Sequence, residues 1–275
     1  MHCVCLLKQV PDTAEVKIDP ETNTLIRTGV ESILNPYDAV AVEQAVRLRE
    51  EHGGIVSAVT MGPPQAEAVL RDALSLGADQ VYLLSDRAFA GADTLATSYT
   101  LFKAVQKLGE QQAVDLVLCG KQAIDGDTAQ TGPGVATRMG CSQLTYCQAV
   151  DWVDQESRTI QVKRKLRDGF ERLRADLPAL ITAELELVTL RRSPLPRLIH
   201  SLRAQVPVWD ADSLNADSEL LGLKGSPTWV QAIFSPQPKE PGPQFQAGED
   251  PSQAVNEGLE TLFRDEDFAE KLLKH

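Results

Sequence analysis

The first 140 residues alternate short apolar runs with stretches of helical spacing, an order that few architectures accommodate. Val4–Val10 reads as a buried strand, and residues 38–50 as a helix with Val42, Ala45, Val46 and Leu48 at apolar positions. Ile55–Met61 is a second strand. Gly62-Pro63-Pro64 then turns the chain into a helix bearing Ala66, Val69, Leu70, Ala73, Leu74 and Leu76, which Gly77 closes. Val81–Leu84, a helix over 93–108 and the run Val114–Cys119 continue the series. Parallel neighbours can be reached only by a crossover, so this repetition predicts an α/β fold: a parallel sheet with helices on both faces. Ligands of such sheets sit beyond the carboxyl ends of the strands. The loops leaving the predicted strands are therefore where function is expected.

The richest of these loops is GKQAIDGDTAQTGP, residues 120–133. Gly120 and Gly126 are expected to let the backbone turn tightly and approach a ligand. Thr128, Gln130 and Thr131 offer neutral donors, and Asp125 and Asp127 offer acceptors suited to ribose hydroxyls or amides. A helix is predicted from Thr128, and its unpaired N–H groups and positive end suit an anion. Capping by Asp127 or Thr128 accounts for one such residue but not for the whole stretch, so a nucleotide is the favoured occupant. Loop 85–98, SDRAFAGADTLATS, offers a second polar wall through Ser85, Asp86, Arg87, Asp93, Thr94, Thr97 and Ser98. Arg87 would neutralise a phosphate or a reduced, anionic ring; the competing reading is that Asp93-Thr94 only caps the following helix. Asn35-Pro36-Tyr37-Asp38 also precedes a helix. Asp38 would cap it, whereas Asn35 and Tyr37 are not needed for capping, and Tyr37 has a flat face for ring contact. Met61-Gly62-Pro63-Pro64 ends its strand at the same edge, as a ligand contact or as a plain turn.

From 145 the pattern changes. Thr145–Val153 and Thr159–Lys165 alternate like antiparallel strands, Asp168-Gly169 signals a turn, and 177–183 returns to a buried run. An α/β domain with a small antiparallel addition is thus expected over 1–187, and an extended arm over 188–275. Within the arm, 191–250 is rich in proline and polar residues, with Ser235–Pro243 the clearest linker, and about 251–274 reads as a helix with Ala254, Leu259, Leu262 and Phe263 inward. Leu214, Leu220, Leu221, Leu223, Trp229, Ile233 and Phe234 are too many apolar groups for a solvated tail, so the arm is expected to pack on a partner subunit. The basic run at 163–174 stands out in an acidic chain, either as a solvated hairpin face or as a contact for an acidic partner.

Charge and motifs exclude several functions. A net charge of −12 argues against nucleic acid as the main partner. No apolar run approaches the roughly 20 residues of a membrane span. The N-terminus shows neither a basic leader nor a small-residue cleavage site, so a cytoplasmic protein is expected. Cys3, Cys5, Cys119, Cys141 and Cys147 form no CxxC pair and the histidines are scattered, so free thiols and no metal site are expected. There is no GxSxG elbow, no GxxxxGK[ST] phosphate loop, no HExxH and no GxGxxG after the first strand. Without a poised acid–base pair or nucleophile, no catalytic side chain is assigned, and any redox chemistry belongs to a bound cofactor.

Taken together, KQVPDTAEVKIDP at 8–20, NPYDAVAVEQAVRL at 35–48, VTMGPPQAEAVLRDALSLGAD at 59–79, GKQAIDGDTAQTGP at 120–133 and DGFERLRADLPALIT at 168–182 resemble the beta subunit of electron transfer flavoprotein. The resemblance implies an adenine nucleotide alpha hydrolase-like domain that pairs with a flavin-binding alpha subunit and holds AMP or, in one branch, FAD. Loop 85–98 looks like that of the bifurcating branch. It implies FAD in this chain, reduced by NADH, with one electron passing to ferredoxin or flavodoxin. The other would pass through the alpha-subunit FAD to an acyl-CoA dehydrogenase or quinone-linked acceptor. By the resemblance the cofactor contacts are Leu6, Asn35, Pro36, Tyr37, Asp38 and Met61, then Gly120, Lys121, Gln122, Ala123, Ile124, Asp125, Gly126, Asp127, Thr128, Ala129, Gln130 and Thr131. Asp93, Thr94 and Thr97 match the added flavin-binding loop, and Tyr37 would lie near the alpha-subunit flavin. Leu195-Pro196 matches the partner-anchoring pair, but Ser201-Leu202-Arg203-Ala204 departs from the family's lysine-rich continuation, which points to a different downstream acceptor.

Overall fold

The computed structural model describes residues 1–12, 31–229, 244–246 and 251–264, and the backbone of 17–18 and 25–26. In chain order its elements begin with β1 (His2–Leu7), β2 (Gln9–Pro11), β3 (Lys17–Ile18), β4 (Leu25–Ile26) and β5 (Ser32–Leu34). Next come α1 (Pro36–His52), β6 (Ile55–Met61), α2 (Glu67–Leu76), β7 (Gln80–Leu84), α3 (Thr94–Gln111), β8 (Leu116–Gly120) and α4 (Thr131–Met139). The chain continues through β9 (Ser142–Asp154), β10 (Thr159–Leu166), β11 (Gly169–Asp176), β12 (Ala179–Ala183), α5 (Leu195–Arg203), β13 (Val208–Trp209) and α6 (Pro251–Phe263).

One nine-stranded sheet runs β11-β10-β9-β12-β8-β1-β6-β7-β13. All neighbours from β9 to β13 pair in parallel, and the β9–β10 and β10–β11 pairs are antiparallel. The mixed α/β class expected from the alternation is the observed one. Alternation along β1 explains its two layers: Cys3, Cys5 and Leu7 pack with α1 and α2, while Val4 and Leu6 pack with α3 and α4. The chain lays β6 and β7 on one side of β1, then returns to lay β8 and β12 on the other. The strand order therefore reverses between β1 and β8, and the loops that leave these two strands diverge there.

Several local expectations are corrected. The run Val4–Val10 is two strands, since Lys8 interrupts it and β2 pairs antiparallel with β5. The helix expected from Thr128 begins only at Thr131, because Asp127 and Ala129 take left-handed backbone conformations (φ 48° and 54°) that no helix continues through. The antiparallel addition has a third strand, β11, and is continuous with the main sheet. Its entry is a fold-back: Tyr146 has φ 56°, and beyond Cys147 the strand leaves β12 to pair with β10. That brings Gln155 to the His52 carbonyl (3.0 Å) and Arg158 to Asp115 (2.9 Å), both at the amino ends of the parallel strands.

Part of the arm finds its burial within this chain. β13 extends the sheet beside β7, and Trp209 stacks on Tyr82 with centroids 4.1 Å apart. Leu214 and Leu221 lie in the same core layer as α3 and α4, whereas Leu220, Leu223 and Trp229 remain exposed. The compact unit extends through Ala232, and residues 233–275 form a second unit. In that unit α6 is observed, with Leu259, Leu262 and Phe263 exposed rather than inward. Ile233, Phe234, the linker 235–243 and the end of the last expected helix lie outside the described residues, as does most of 13–30. Among the described residues no helix is long and apolar enough to cross a membrane.

Truncating Leu221, only 2% exposed, to alanine should cost about 2–4 kcal/mol of unfolding free energy. Leu223→Ala, at a residue 65% exposed, should change it by no more than about 0.5 kcal/mol. Urea unfolding of both variants measures whether this part of the arm is built into the folded unit.

Candidate functional site

The loops expected to carry function meet at the reversal point. Asp38 lies in the first turn of α1 and does not cap it; Asn35 occupies the cap position, and its side chain bonds elsewhere. The buried Asp38 carboxylate instead accepts the Lys8 N–H and the Gly120 N–H, each at 2.8 Å, and so ties the carboxyl ends of β1 and β8 together. Burial pushes this carboxyl up to about 7, against the lowering effect of the Gly120 and Lys8 N–H groups, the Asn35 side chain and the Lys8 charge. Asn35, also buried, donates from Nδ2 to the Gln122 carbonyl (2.9 Å) and receives the Ile124 N–H at Oδ1 (3.4 Å). The start of α1 thus fixes the first residues of the 121–130 loop.

Gly120 is required for a reason other than ligand approach. A Cβ there would lie 2.5 Å from Tyr37 Cβ and 2.6 Å from Asp38 Oδ1, so its missing side chain is what lets α1 seat on β8. Gly126 carries no such demand: nothing lies within 4 Å of its Cβ position, and its φ is not left-handed. The left-handed turns fall on Asp127 and Ala129.

Along the loop, Lys8 Nζ pairs with Asp125 (2.7 Å), Gln122 Nε2 donates to Asp127 (2.7 Å), and Lys121 Nζ pairs with Glu184 (3.1 Å) while lying 5.0 Å from the centre of the Tyr37 ring. Neither Asp127 nor Thr128 caps α4: its cap position is Gln130, whose side chain makes no capping hydrogen bond, so N–H groups of its first turn are left for another acceptor. The hydroxyls of Thr128 and Thr131 make no hydrogen bond among the described residues. Leu6 and Met61 stand at or near the carboxyl ends of β1 and β6, on the same rim. Lys8 and Glu184 were not singled out in the sequence, although each directly follows a strand at its carboxyl end, which is the signal that finds them.

The second loop joins the first through one contact, Thr94 Oγ1 donating to Gln130 Oε1 at 3.0 Å. The acids around it have other tasks. Asp93 caps α3 by accepting the Leu95 and Ala96 N–H groups (2.9 and 3.1 Å), and its second oxygen accepts the Thr228 hydroxyl at 2.8 Å. Asp86 accepts the Ala88 N–H and the Ala211 N–H, both at 3.0 Å. Both carboxylates therefore clamp the arm onto the loop. Ser98 is buried beneath α4, where it donates to the Leu95 carbonyl and receives Arg138, so it leaves the polar wall. Thr97 is half-buried on α3, and Arg87 is exposed, its guanidinium without a hydrogen-bond or ion-pair partner among the described residues.

Leu195 and Pro196 open α5, away from this crevice. Arg191 anchors the approach to α5 by pairing with buried Glu43 (2.7 Å) and Glu50 (2.6 Å) of α1, and Arg71 holds the helix end at the Ser201 carbonyl. Leu195, Leu198, Ile199 and Leu202, at helical spacing, are all exposed.

The electron transfer flavoprotein domain matches residues 22–214. Over 96% of this chain and 95% of the relative, the sequence is 46% identical to Protein FixA of Azotobacter vinelandii. It is 48% identical to the electron transfer flavoprotein subunit beta of Thermoanaerobacterium thermosaccharolyticum, over 89% of this chain and 92% of that protein. With the same subunit of Clostridium acetobutylicum it shares 45% identity, over 88% of this chain and 91% of the relative.

Asp38 sets a pH dependence. Its folded value, about 7, lies above the ordinary 3.8, so the folded state holds the proton more tightly. Stability relative to Asp38→Asn should be highest below the ordinary value and fall as pH rises toward 7, by up to about 1.4 kcal/mol per unit. Denaturant titrations of both proteins from acid to neutral pH read this difference, and a constant difference would show that Asp38 does not titrate in that window. Gly120→Ala should lower stability by about 1–3 kcal/mol through overpacking, and Gly126→Ala should be neutral within about 0.5 kcal/mol; thermal unfolding separates the two.

Proposed function

This chain belongs to the electron transfer flavoprotein family, as an electron-carrying subunit of the beta type that pairs with an alpha subunit, and we propose that its crevice between β1 and β8 binds FAD. In this reading NADH is the donor, in the cytoplasm. One electron leaves for ferredoxin or flavodoxin, and the other passes through the alpha-subunit FAD to an acyl-CoA dehydrogenase or quinone-linked acceptor. The bound flavin supplies the redox chemistry, for which no side chain of this chain is suited.

The rest is binding and orientation. Asp38 and Asn35 hold the roots of both walls. The uncapped first turn of α4, with the hydroxyls of Thr128 and Thr131, suits a diphosphate. Gln130 and Thr94 tie the second wall to the first, and Thr97 follows one helical turn on. Tyr37 and Lys121 flank the other side, and Arg87 offers a positive charge to offset the anionic cofactor. The apolar stripe of α5 from Leu195-Pro196 onward suits docking of the downstream acceptor, and the exposed Leu220, Leu223 and Trp229 suit the alpha subunit.

The observation that carries the FAD reading is the contact between Thr94 and Gln130, which joins the two polar loops at one rim. A second reading, an electron carrier holding AMP structurally, is favoured by Asp93: its oxygens are engaged by the α3 cap and by Thr228.

Releasing and counting nucleotides from the co-purified heterodimer decides between them. Two FAD per heterodimer with flavin bleaching by NADH are expected. One FAD, one AMP and no response to NADH would replace the first reading with the second. Thr94→Val, which leaves the Asp93 clamp intact, should lower beta-site flavin content severalfold and spare the alpha-site flavin.

A further inference from the structure

Between Trp209 and Thr228 the arm follows loop 85–98 and bonds to it repeatedly. The Trp209 carbonyl accepts the Ser85 N–H (3.0 Å), the Ala211 N–H donates to Asp86 (3.0 Å), and the Leu223 N–H donates to the Ala90 carbonyl (3.2 Å). At Gly222 the two backbones meet: its φ is 51°, and a Cβ there would lie 2.3 Å from the Ala88 carbonyl oxygen and 2.9 Å from that of Ala90. Only glycine fits that seat. Ser226 Oγ then donates to the Gly222 carbonyl (2.7 Å) and accepts the Asp93 N–H (2.8 Å), so one hydroxyl joins the seat to the start of α3. Two residues on, the N–H and the hydroxyl of Thr228 both donate to the second carboxylate oxygen of Asp93, at 3.2 and 2.8 Å.

These bonds exceed what either element needs for itself. Capping α3 takes one oxygen of Asp93, the one that accepts the Leu95 and Ala96 N–H groups. The arm is already fastened by Trp209, Leu214 and Leu221 in the core, and Thr228 is exposed, so the hold of the arm does not depend on its hydroxyl. What the additional bonds fix is the position of Asp93. With it they fix Thr94, whose hydroxyl reaches Gln130 at the cap position of α4 (3.0 Å). A connected line thus runs from Ser226 and Thr228 through Asp93 and Thr94 to the turn where N–H groups of α4 await an acceptor. Binding groups without such support sit loosely, and an error of about 1 Å is enough to spoil a site.

We propose that Ser226 and Thr228 are positioning residues for the nucleotide of the crevice, acting through Asp93 on Thr94. The inference rests on a nucleotide occupying the crevice, and holds for FAD and AMP alike, because Gln130 belongs to the wall that either would use. Neither hydroxyl need touch the ligand: each holds the group that holds the rim.

The test uses the co-purified heterodimer, dialysed to empty the crevice and then titrated with FAD and, separately, with AMP. Whichever nucleotide the wild type takes up should bind Thr228→Val and Ser226→Ala about three- to tenfold more weakly, the worth of one hydrogen bond. Thr228→Ser keeps the hydroxyl and should bind within about twofold of the wild type. Hydrogen exchange of the amides of residues 88–96 should quicken in Thr228→Val and return to the wild-type rate in Thr228→Ser. Thermal unfolding and alpha-site flavin content should stay at the wild-type level in both. Equal affinity in all four proteins, failure of Thr228→Ser to restore binding, or a loss of affinity matched by a lower unfolding temperature and lost alpha-site flavin would each overturn the proposal and leave the crevice reading standing. A wild type that takes up neither nucleotide would fail the crevice reading itself, and the proposal with it.

Discussion

One buried carboxylate holds the functional end of this subunit together. Asp38 accepts the N–H groups of Lys8 and Gly120 and so closes the gap between β1 and β8, where the sheet's connections diverge to opposite sides. Strands pair along their length, but beyond their last ladder bond the two loops part and their first N–H groups are orphaned. A buried donor left unpaired costs about 1–3 kcal/mol, and the Asp38 side chain satisfies two at once. Burial is opposed to its charge, which is why its carboxyl titrates near neutrality despite four favourable contacts. The close approach also depends on Gly120, since any side chain there would occupy the space of Tyr37 and Asp38.

The second wall of the crevice is held from behind. Asp86 and Asp93 bind backbone and hydroxyl donors of residues 211 and 228, and Trp209, Leu214 and Leu221 anchor the same stretch in the core. Carboxylates near a site for an anionic nucleotide would repel it if they faced it. Here one oxygen of each is turned toward the arm and the other is engaged by its own loop or helix, so the groups left for a ligand are mainly neutral hydroxyls and amides, backbone N–H groups and the guanidinium of Arg87. The order of the crevice is thereby tied to the order of the arm.

Two exposed faces of this chain differ in character. The α5 stripe is apolar and held rigidly by Arg71, Arg191 and Glu43. The hairpin face carries Lys163, Arg172 and Arg174 beside Phe170 and Trp152 and is built on a separate sheet extension. Apolar and charged contacts respond differently to salt, so the two surfaces are separable in solution.

The layering, the parallel sheet and the gathering of polar loops at its carboxyl rim were legible in the sequence, because each strand and helix announces itself by local periodicity and Gly or Pro punctuation. So were the two loops, 85–98 and 120–133, and the capping of α3 by Asp93. What sequence could not give were contacts between residues far apart in the chain. Asp38 looked like a helix cap because capping is the local task of such a residue, and only the meeting of β1, α1 and β8 turned it into a brace. Gly120 and Gly126 looked alike, as loop glycines freed for a tight turn and ligand approach, because the packing that sets Gly120 apart is invisible until the partner element is placed. The arm's apolar residues were expected on a partner subunit, yet Leu214 and Leu221 are buried in this chain's own core, since hydrophobicity demands burial without naming the surface that provides it. Sequence determined which groups this protein carries to its rim; tertiary structure decided which of them are spent on holding the rim and which remain for a ligand, because hydrogen bonding and packing are satisfied in space rather than along the chain.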